Sequence, residues 1–296
     1  MDCKTRVGID LHIHSTASDG TLSPSEILSL ANKIGLGAIA ITDHDTIDGT
    51  RTALSSTPRP AIRLISGVEI STEFPETFAC SESCHILGYG FDPEDPELTQ
   101  ALTTLQAARK NRNPQIIERL QTLGFDITLQ EVQAAKTGAG QLGRPHIARV
   151  LLEKEYVQSI NEAFDKYLAN GQPAYVDKYR LPCAQALEMI IQAGGIPVLA
   201  HPGLIPIKDP HQMEAFVGLL KSLGLQGLEV YYPEHDRKLT AFYEALAQRY
   251  DLLMTGGSDF HGAIKPEIKM GIGYGSMFVP FELYARLQQA LEQNSA

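Results

Sequence analysis

Short apolar runs alternate with amphipathic segments in the first third of the chain. Residues 7–13 are mostly apolar and have the length of a strand. Residues 23–26 then supply an N-cap serine, a proline at the first helical position and a capping glutamate. Apolar side chains recur at positions 27, 30, 31 and 34, and Gly35 ends the pattern. This spacing predicts a strand followed by an amphipathic helix.

Three more strand candidates follow, at residues 38–42, 63–71 and 85–90. The connection between the last two contains Pro75 and lacks a helical period. We therefore expect these two strands to pair as an antiparallel hairpin rather than through a helical crossover. In a hairpin the start of the second strand lies beside the end of the first, so His85 is predicted to lie next to Glu69.

Alternation of strands and helices resumes after residue 181. We predict helices at 184–193, 213–223 and 237–249, and strands at 196–200, 225–231, 252–256 and 276–279. The number and order of these elements favour an α/β fold, a distorted (β/α)7 barrel. In such barrels the active site lies at the carboxyl ends of the strands.

The segment between the two halves is predicted to be helical. Capping boxes at residues 128–131 and 159–162 start helices, while Pro114, Gly124 and a glycine-rich break at 138–143 interrupt the segment. We therefore divide the chain into a barrel, residues 1–97 and 180–296, and a helical insertion, residues 98–179. The place of the insertion suggests a lid or a substrate-selecting domain.

Composition sets the class of protein. Hydrophobic residues are 43% and charged residues 20% of the 296 residues, which is ordinary for a globular protein. We find no apolar stretch long enough to span a membrane and no signal-peptide pattern in residues 1–6, so we expect a cytoplasmic protein. The four cysteines, at positions 3, 80, 84 and 183, are expected to be free thiols. Cys80 and Cys84 precede His85 and could bind zinc, but a second cysteine pair to complete a thiolate site is missing.

The net charge of -10 argues against non-specific electrostatic binding to the nucleic-acid backbone. It leaves room for a small or terminal phosphate substrate, because divalent cations can make one pocket positive inside an acidic protein. We therefore expect no stable complex with long nucleic acid. The oligomeric state is left open.

Five of the nine histidines lie in four short clusters, three of which also contain carboxylates. The clusters are residues 12–19, 42–45, 200–202 and 258–261. His12 and His14 are two apart on an extended segment, so both side chains point to the same side and can reach one metal ion. Imidazole and carboxylate together suit Mn, Fe or Zn. The clusters therefore predict a metal centre built from distant segments.

These motifs also resemble a known family. His12-x-His14 with Asp19, the residues 42–46, Glu69, His85, His201 and the residues 258–261 are similar, in order and character, to the motifs of the PHP (polymerase and histidinol phosphatase) family. The resemblance spans nearly the whole chain. It is nearest to the branch with a helical insertion and a segment like residues 143–146, the 3′,5′-nucleoside bisphosphate phosphatases, some of which are RNase AM-type 5′-to-3′ exoribonucleases.

The resemblance implies nine metal ligands: His12, His14, Asp19, His44, Glu69, His85, His201, Asp259 and His261. By analogy, the first ion takes His12, His14, Glu69 and Asp259, the second takes Asp19, His44 and His261, and the third takes His85 and His201 with Glu69 bridging. Two or three divalent ions are implied, with Mn expected first and Fe or Zn as alternatives. Such a cavity attracts phosphate, and a metal-bound hydroxide is the expected nucleophile.

Further residues are candidates for supporting roles. Asp43 either orients a ligand imidazole through its ring N–H or caps the following turn, and Asp45 is interpreted as a brace of the turn at 45–49. Arg144, at a predicted helix start, is expected to bind substrate phosphate. Arg109, Lys110 and Arg112 are either a second phosphate clamp or a solvated helix face, and Lys178 and Arg180 are weaker candidates of the same kind. His146 is interpreted as structural, His211 and His235 as surface residues, and Tyr231 and Tyr232 as packing residues.

The favoured function is a metal-dependent phosphoesterase acting on nucleotide phosphate monoesters. The best candidates for substrate are 3′,5′-nucleoside bisphosphates, with short RNA 5′ ends as a second class. Histidinol phosphatase is the alternative within enzymes, because the same metal centre could support it. An inactive metal-binding accessory module is the alternative outside enzymes, and it predicts missing ligands.

Overall fold

A computed structural model describes residues 8–56, 62–78, 83–135, 140 and 142–294. The strands are β1 (Ile9–Ile13), β2 (Ala38–Ile41), β3 (Arg63–Glu73), β4 (Cys84–Tyr89), β5 (Leu181–Pro182), β6 (Ile196–Leu199), β7 (Gly227–Tyr231) and β8 (Leu253–Gly256). The α-helices are α1 (Pro24–Lys33), α2 (Asp48–Leu54), α3 (Pro96–Thr122), α4 (Leu129–Ala135), α5 (Arg144–Glu153), α6 (Ile160–Ala163), α7 (Cys183–Gln192), α8 (Pro210–Ser222), α9 (Arg237–Arg249) and α10 (Phe281–Asn294).

The strands form one sheet in the order β1-β2-β3-β4-β6-β7-β8, with β5 paired to β3. Most neighbours are parallel, but β4 is antiparallel to both β3 and β6. The sheet nearly closes on itself, since Ile13 at the end of β1 bridges to Phe260 just after β8. The predicted α/β barrel with a distorted, mixed sheet is thus confirmed.

The pairing of β3 with β4 is the antiparallel hairpin predicted from the sequence. Ser71 is opposite His85, and Glu69 is opposite Leu87. The hairpin reverses the direction of β4, so the beginning of β4 lies at the edge of the sheet where the parallel strands end. His85 therefore enters the site from the start of its strand, whereas the other candidate ligands come from strand ends.

Two local predictions about strands and turns are wrong. Residues 276–279 do not form a strand; the contacts there are a bridge between Gly8 and Pro280 and one hydrogen bond from Ile9 N–H to Val279 O at 3.0 Å. An isolated bridge of this kind does not continue into a ladder. The turn predicted at 45–49 leads into a helix, because α2 begins at Asp48.

Pro114 does not interrupt the insertion as predicted. It lies inside α3, which runs unbroken for 27 residues. A proline in a helix removes one backbone hydrogen bond. Packing on both sides offsets that loss: Leu98, Leu102 and Leu105 join the core of the barrel, while Ile116, Ile117 and Leu120 are buried against α4 and α5. Since α3 contributes to both cores, the division into a barrel and an insertion at residue 98 stays a prediction.

The capping predictions are confirmed at two of three helices. Ser23 and Glu26 cap α1 reciprocally, and Thr128 and Glu131 do the same before α4. At α6 the hydroxyl of Ser159 accepts from the N–H of Glu162, but the Glu162 carboxylate accepts from the N–H of Gln158 instead.

Two of the four cysteines lie within the described residues. Cys84 and Cys183 are buried free thiols, as predicted. Cys3 and Cys80, and with Cys80 the zinc-binding alternative, lie outside the described residues. Among the described helices, none combines the length and the apolar character that a membrane span requires.

Candidate metal centre

The nine candidate ligands lie at one edge of the barrel. His12 is in β1 and His14 directly follows it, while His44, His201, Asp259 and His261 lie in the segments that follow β2, β6 and β8. Glu69 is in β3 and bridges to His44 through the backbone, and His85 is in β4. The edge is the carboxyl end of the parallel strands, where the barrel was expected to carry its active site.

Glu69 is the central carboxylate of the cluster, and its side chain is fully buried. One of its oxygens, Oε1, accepts hydrogen bonds from two imidazoles. The other, Oε2, approaches three more imidazole nitrogens. The Oε1 distances are 2.7 Å to His85 Nδ1 and 2.9 Å to His201 Nε2, and the Oε2 distances are 2.9 Å to His44 Nδ1, 3.2 Å to His14 Nε2 and 3.3 Å to His12 Nε2. The contact of His85 with Glu69 confirms the prediction from the hairpin.

Two further carboxylates complete the cluster. Asp259 Oδ1 lies 3.0 Å from His14 Nε2 and 3.5 Å from His12 Nε2. Asp19 Oδ1 lies 3.4 Å from His261 Nε2, and its Oδ2 lies 3.8 Å from His44 Nε2. Carboxylate oxygens and ring nitrogens thus alternate through one buried volume.

Among the described residues, three groups each offer ligand atoms that all lie within 4.8 Å of one another. The first is His12, His14, Glu69 and Asp259, the same set that the resemblance implied. The second is Asp19, His44 and His261 together with His14. The third is His44, Glu69 and His85. His201 was expected in this third group with His85; it contacts Glu69 but is not among the third group's members.

The donor atoms suit divalent cations because several are buried and, within the described part of the chain, have no hydrogen-bond partner. These atoms are His12 Nε2, both ring nitrogens of His14, His44 Nδ1, Asp19 Oδ1, Glu69 Oε2 and His201 Nδ1. A buried polar atom without a partner costs about 1–3 kcal/mol. A cation bound between the nitrogens and the carboxylates satisfies them together, and mixed imidazole and carboxylate sets suit Mn, Fe or Zn. The residues present therefore fit such ions.

Burial and neighbouring charge pull the imidazole pKa values apart. Burial lowers the pKa of His14, but the carboxylates of Asp259 and Glu69 outweigh it and raise that pKa to about 9. Burial dominates at His44 and lowers its pKa to about 4, although Glu69 and Asp19 oppose the shift. Imidazoles in one cluster thus differ in their affinity for a proton. A bound cation competes with the proton for the same ring nitrogen.

The backbone at the centre is strained at three positions that are not glycine. The φ angles are +26° at His201, +53° at Asp259 and +55° at Asp45. A positive φ at such residues costs of order 1–3 kcal/mol and persists only where the surroundings hold it. Two of the three are candidate ligands, so the strain coincides with the metal cluster.

Asp43 does not orient an imidazole as one prediction held. Its Oδ1 accepts from Ser15 N–H at 2.7 Å and from Ser18 Oγ at 2.5 Å, and its Oδ2 accepts from Ser15 Oγ at 2.6 Å. Burial raises the pKa of Asp43, against the effect of these hydrogen bonds. Asp43 therefore braces the loop that contains Ser15, Ser18 and Asp19. This loop lies before Asp43 in the chain, whereas the alternative prediction was a cap of the turn after Asp43.

A carboxylate outside the nine candidate ligands, Glu229, does contact a ligand imidazole, and the sequence analysis did not predict it. It is buried in the middle of β7, and its Oε1 lies 2.9 Å from His12 Nδ1. A charged residue inside an otherwise apolar strand was the available signal. Lys265 was also missed: its Nζ lies 2.8 Å from Asp259 Oδ2. Tyr232, interpreted as packing, donates its hydroxyl to the same oxygen at 2.9 Å.

A cavity of about 600 Å³ opens over the cluster. Candidate ligands line it, among them Asp19, Glu69 and His201. Five of the six predicted substrate cations line it as well: Arg109, Arg112, Arg144, Lys178 and Arg180. Lys110 is not part of the lining and is exposed, because Arg109 and Arg112 share one face of α3 while Lys110 lies on another.

The cations differ in how they are held. Arg109 Nη2 and Lys178 Nζ both bind Asp45 Oδ2, at 2.6 Å and 3.1 Å. Burial lowers the pKa of Lys178 to about 8, Asp45 opposes this shift, and Arg109 adds to it. Asp45 is therefore structural, as expected. It holds Arg109 and Lys178 and accepts a hydrogen bond from Ser71 N–H, whereas the prediction was that it braces a turn.

Arg112 and Arg144 have no carboxylate partner among their described contacts. Arg112 is 4% exposed, and its Nε and Nη2 atoms are buried without a hydrogen-bond partner in the described residues. Burial, together with Arg109 and Arg144, lowers the pKa of Arg112 to about 9. Arg144 begins α5 as predicted; it donates to Leu168 O at 2.9 Å and stacks on Phe164. Arg180 instead pairs with Asp177 at 2.6 Å.

Of the three histidines outside the metal cluster, two lie where they were predicted and one does not. His211 is exposed, as expected. His146 is buried, and its Nδ1 accepts from Gly143 N–H at 3.1 Å, which confirms the structural interpretation. His235 was expected at the surface but is buried. Its Nδ1 lies 2.8 Å from Val230 O and its Nε2 accepts from Gly203 N–H, so it ties the end of β7 to the loop after His201.

Comparison with known proteins agrees with this site. The family model of the PHP domain matches residues 10–193. The chain is 34% identical to a 5′-3′ exoribonuclease of Haemophilus influenzae, over 85% of this chain and 89% of that one. It is 31% identical to a 3′,5′-nucleoside bisphosphate phosphatase of Chromobacterium violaceum, over 86% and 87%. A solved structure from Bifidobacterium adolescentis, itself assigned by prediction as a metal-dependent phosphoesterase, superposes with a TM-score of 0.82 at 30% identity and covers 96% of both chains.

Proposed function

The chain belongs to the PHP family and is a phosphoesterase, and from this premise we propose that it removes one phosphate from 3′,5′-nucleoside bisphosphates. The ions we propose are two or three divalent cations, with manganese first. We propose the cytoplasm as its compartment, because small nucleotide phosphates are formed there. The relative from Chromobacterium violaceum carries this activity in its name.

One observation supports this substrate: two kinds of groups line the same cavity. Candidate metal ligands line it, where a phosphate ester would be hydrolysed. The cations Arg109, Arg112, Arg144 and Lys178 line it as well. A cavity of about 600 Å³ is large enough for a nucleotide. A molecule with two phosphates, one for the metal ligands and one for the cations, matches this lining better than a molecule with a single phosphate.

Bound divalent ions would supply a water acidified toward neutrality and positive charge for the phosphoryl oxygens. The residues of the chain perform the remaining tasks. Arg112 has free guanidinium N–H groups that can donate to the distal phosphate. Asp45 holds Arg109 and Lys178 in place beside it. The distal phosphate thus orients the substrate so that its other ester lies at the cluster.

Histidinol phosphate fits this cavity less well. It carries an ammonium group, and four cations, Arg109, Arg112, Arg144 and Lys178, line the cavity, of which Arg109 and Lys178 share Asp45 as their carboxylate partner. Like charges repel strongly where burial reduces solvent screening. The inactive-module alternative also lacks support, because all nine candidate ligands are present and the relatives are named as hydrolases.

A second activity, removal of nucleotides from an RNA 5′ end, is favoured by the same combination of metal ligands and cations in the cavity lining. The relative from Haemophilus influenzae is named for that activity. A 5′-phosphate held by Arg112 and Arg144 would place the ester on the 3′ oxygen of the same nucleotide at the cluster. The chemistry is then the same for a bisphosphate and for a terminal nucleotide of RNA.

Phosphate release tests the proposal. The purified protein with Mn²⁺ is assayed on adenosine 3′,5′-bisphosphate, 3′-AMP, 5′-AMP and histidinol phosphate. We expect kcat/KM for the bisphosphate to exceed that for either monophosphate by at least about tenfold, the effect of one charged hydrogen bond. Faster turnover of histidinol phosphate would contradict the proposal. Release of mononucleotides from a 5′-phosphorylated oligoribonucleotide, compared with its 5′-hydroxyl form, tests the second activity.

A further inference from the structure

Glu229 contacts two ligand-bearing segments at once. Its side chain is completely buried. Its Oε1 lies 2.9 Å from Nδ1 of His12, which is in β1. Its Oε2 accepts a hydrogen bond from the backbone N–H of His201, which follows β6, at 2.6 Å. One carboxylate therefore joins segments 189 residues apart through both of its oxygens.

The contact with His12 determines which ring nitrogen faces the cluster. When Nδ1–H donates to Glu229, Nε2 carries the lone pair. That Nε2 lies 3.3 Å from Glu69 Oε2 and 3.5 Å from Asp259 Oδ1, and it is buried without a hydrogen-bond partner in the described residues. The ring is therefore held in the tautomer that can bind a cation between these two carboxylates.

The contact with His201 supports a strained backbone. His201 has a φ of +26°, which a residue other than glycine rarely adopts. Its N–H would lose its partner if Glu229 were absent, and such a conformation persists only where neighbouring contacts hold it. With the N–H held, the His201 ring reaches Glu69 Oε1 at 2.9 Å.

We propose that Glu229 is a positioning residue of the metal centre, which sets the His12 tautomer and the His201 backbone for cation binding. Glu229 does not line the cavity and is not a member of the three ligand groups found in the described chain. It therefore acts through His12 and His201 rather than on the substrate. This inference rests on the proposed metal-dependent function.

The substitution Glu229→Gln tests this role with almost no change in shape. Each oxygen of Glu229 faces an N–H donor, but an amide offers one oxygen and one NH₂ group. The glutamine can therefore accept from His12 or from His201 but not from both. Glu244→Gln is the matched control: Glu244 accepts from the hydroxyl of Tyr231 at 2.6 Å, and an amide oxygen can still do so.

Cation binding is measured directly on the full chain after metal is stripped with a chelator. Isothermal titration with Mn²⁺ and metal analysis after dialysis give affinity and stoichiometry. We expect Glu229→Gln to weaken at least one Mn²⁺ site about 10–100-fold, the usual effect of losing a group that orients a ligand. Mn²⁺ should also raise the Tm of this variant less than that of the wild type. The control should match the wild type in both measurements.

The outcomes separate this inference from the proposed function. If the wild type binds Mn²⁺ and Glu229→Gln binds it with the same affinity, the positioning role is wrong, even if hydrolysis is lost. If the wild type binds no divalent cation, the metal-dependent function itself is wrong. Should Glu229→Gln not fold, Glu229→Asp replaces it: the shorter side chain cannot reach both donors, so the same weakening is expected, and unchanged affinity overturns the proposal.

Discussion

Nδ1 of His85 lies 2.7 Å from Oε1 of Glu69, although sixteen positions separate the two residues in the chain. The hairpin of β3 and β4 creates this contact by turning the start of β4 toward the end of β3. Glu69 is thereby the shared neighbour of five imidazoles.

Replacing Glu69 with glutamine should disable the metal centre. The amide removes a negative charge that faces five imidazoles from four segments, so cations lose their central oxygen ligand. We expect bound metal to fall and kcat/KM to drop more than about 100-fold, beyond the effect of losing a residue that only orients a ligand. Metal analysis and phosphate release check this. Glu73→Gln, at the exposed end of the same strand, should behave as wild type; full metal content in Glu69→Gln would refute the prediction.

Arg112→Gln should weaken binding of the distal phosphate. A charged hydrogen bond contributes about 1.5–3 kcal/mol, so KM for the bisphosphate should rise about 10–100-fold. Turnover of 3′-AMP, which lacks that phosphate, should change little. Lys110→Gln removes the same charge from the exposed face of α3 and is the control. Equal losses on both substrates would show that Arg112 supports the fold rather than the substrate.

Lys178 should impose an alkaline limb on activity. Its pKa is lowered from 10.5 to about 8, so the side chain is cationic below that pH and neutral above it. We expect kcat/KM for the bisphosphate to fall as pH rises through about 8, since this ratio reports the free enzyme. In Lys178→Arg the charge persists, and the limb should disappear. An identical limb in both proteins would assign it to another group.

Asp45→Asn should destabilise the protein. Asp45 is fully buried and is the carboxylate partner of Arg109 and Lys178, whose side chains are 11% and 6% exposed. Removing one partner of a buried pair costs about 3–5 kcal/mol. Urea unfolding at pH 7 measures the loss. At pH 10, where Lys178 is neutral, the loss should be smaller. Asp48→Asn, an exposed residue at the start of α2, should change stability by less than about 1 kcal/mol.

The helical period alone does not show which of the cations Arg109, Lys110 and Arg112 of α3 face the cavity. Spacing along a helix indicates that Arg109 and Arg112 share a face and that Lys110 lies on another. Which face meets the cavity depends on how α3 packs. Leu98, Leu102 and Leu105 bury one side of the helix against the barrel and so determine its rotation. The sequence alone therefore treated the three cations together, as either a clamp or a solvated face, whereas in the structure Arg109 and Arg112 line the cavity and Lys110 does not.

The carboxylate that orients a ligand imidazole was also not identified from the sequence. Asp43 was a reasonable candidate because it precedes His44, but its oxygens bind Ser15 and Ser18. One carboxylate outside the nine candidate ligands does contact a ligand ring: Glu229, which is 217 positions from its partner His12. A hydrogen bond between side chains requires a specific distance and angle. Two residues that are adjacent in the sequence do not necessarily have this distance and angle between their side chains.

The sequence by itself determined the family, the barrel and the edge at which the candidate ligands gather. Apolar periodicity defines strands and helices, and parallel strands place their carboxyl ends together, so residues after strand ends converge whatever the details. Only the tertiary structure decided which atoms touch. It joined Glu229 to His12 and His201, paired Asp45 with Arg109 and Lys178, and left Arg112 facing the cavity. These contacts depend on rotation and packing of whole elements, which local patterns along the chain do not encode.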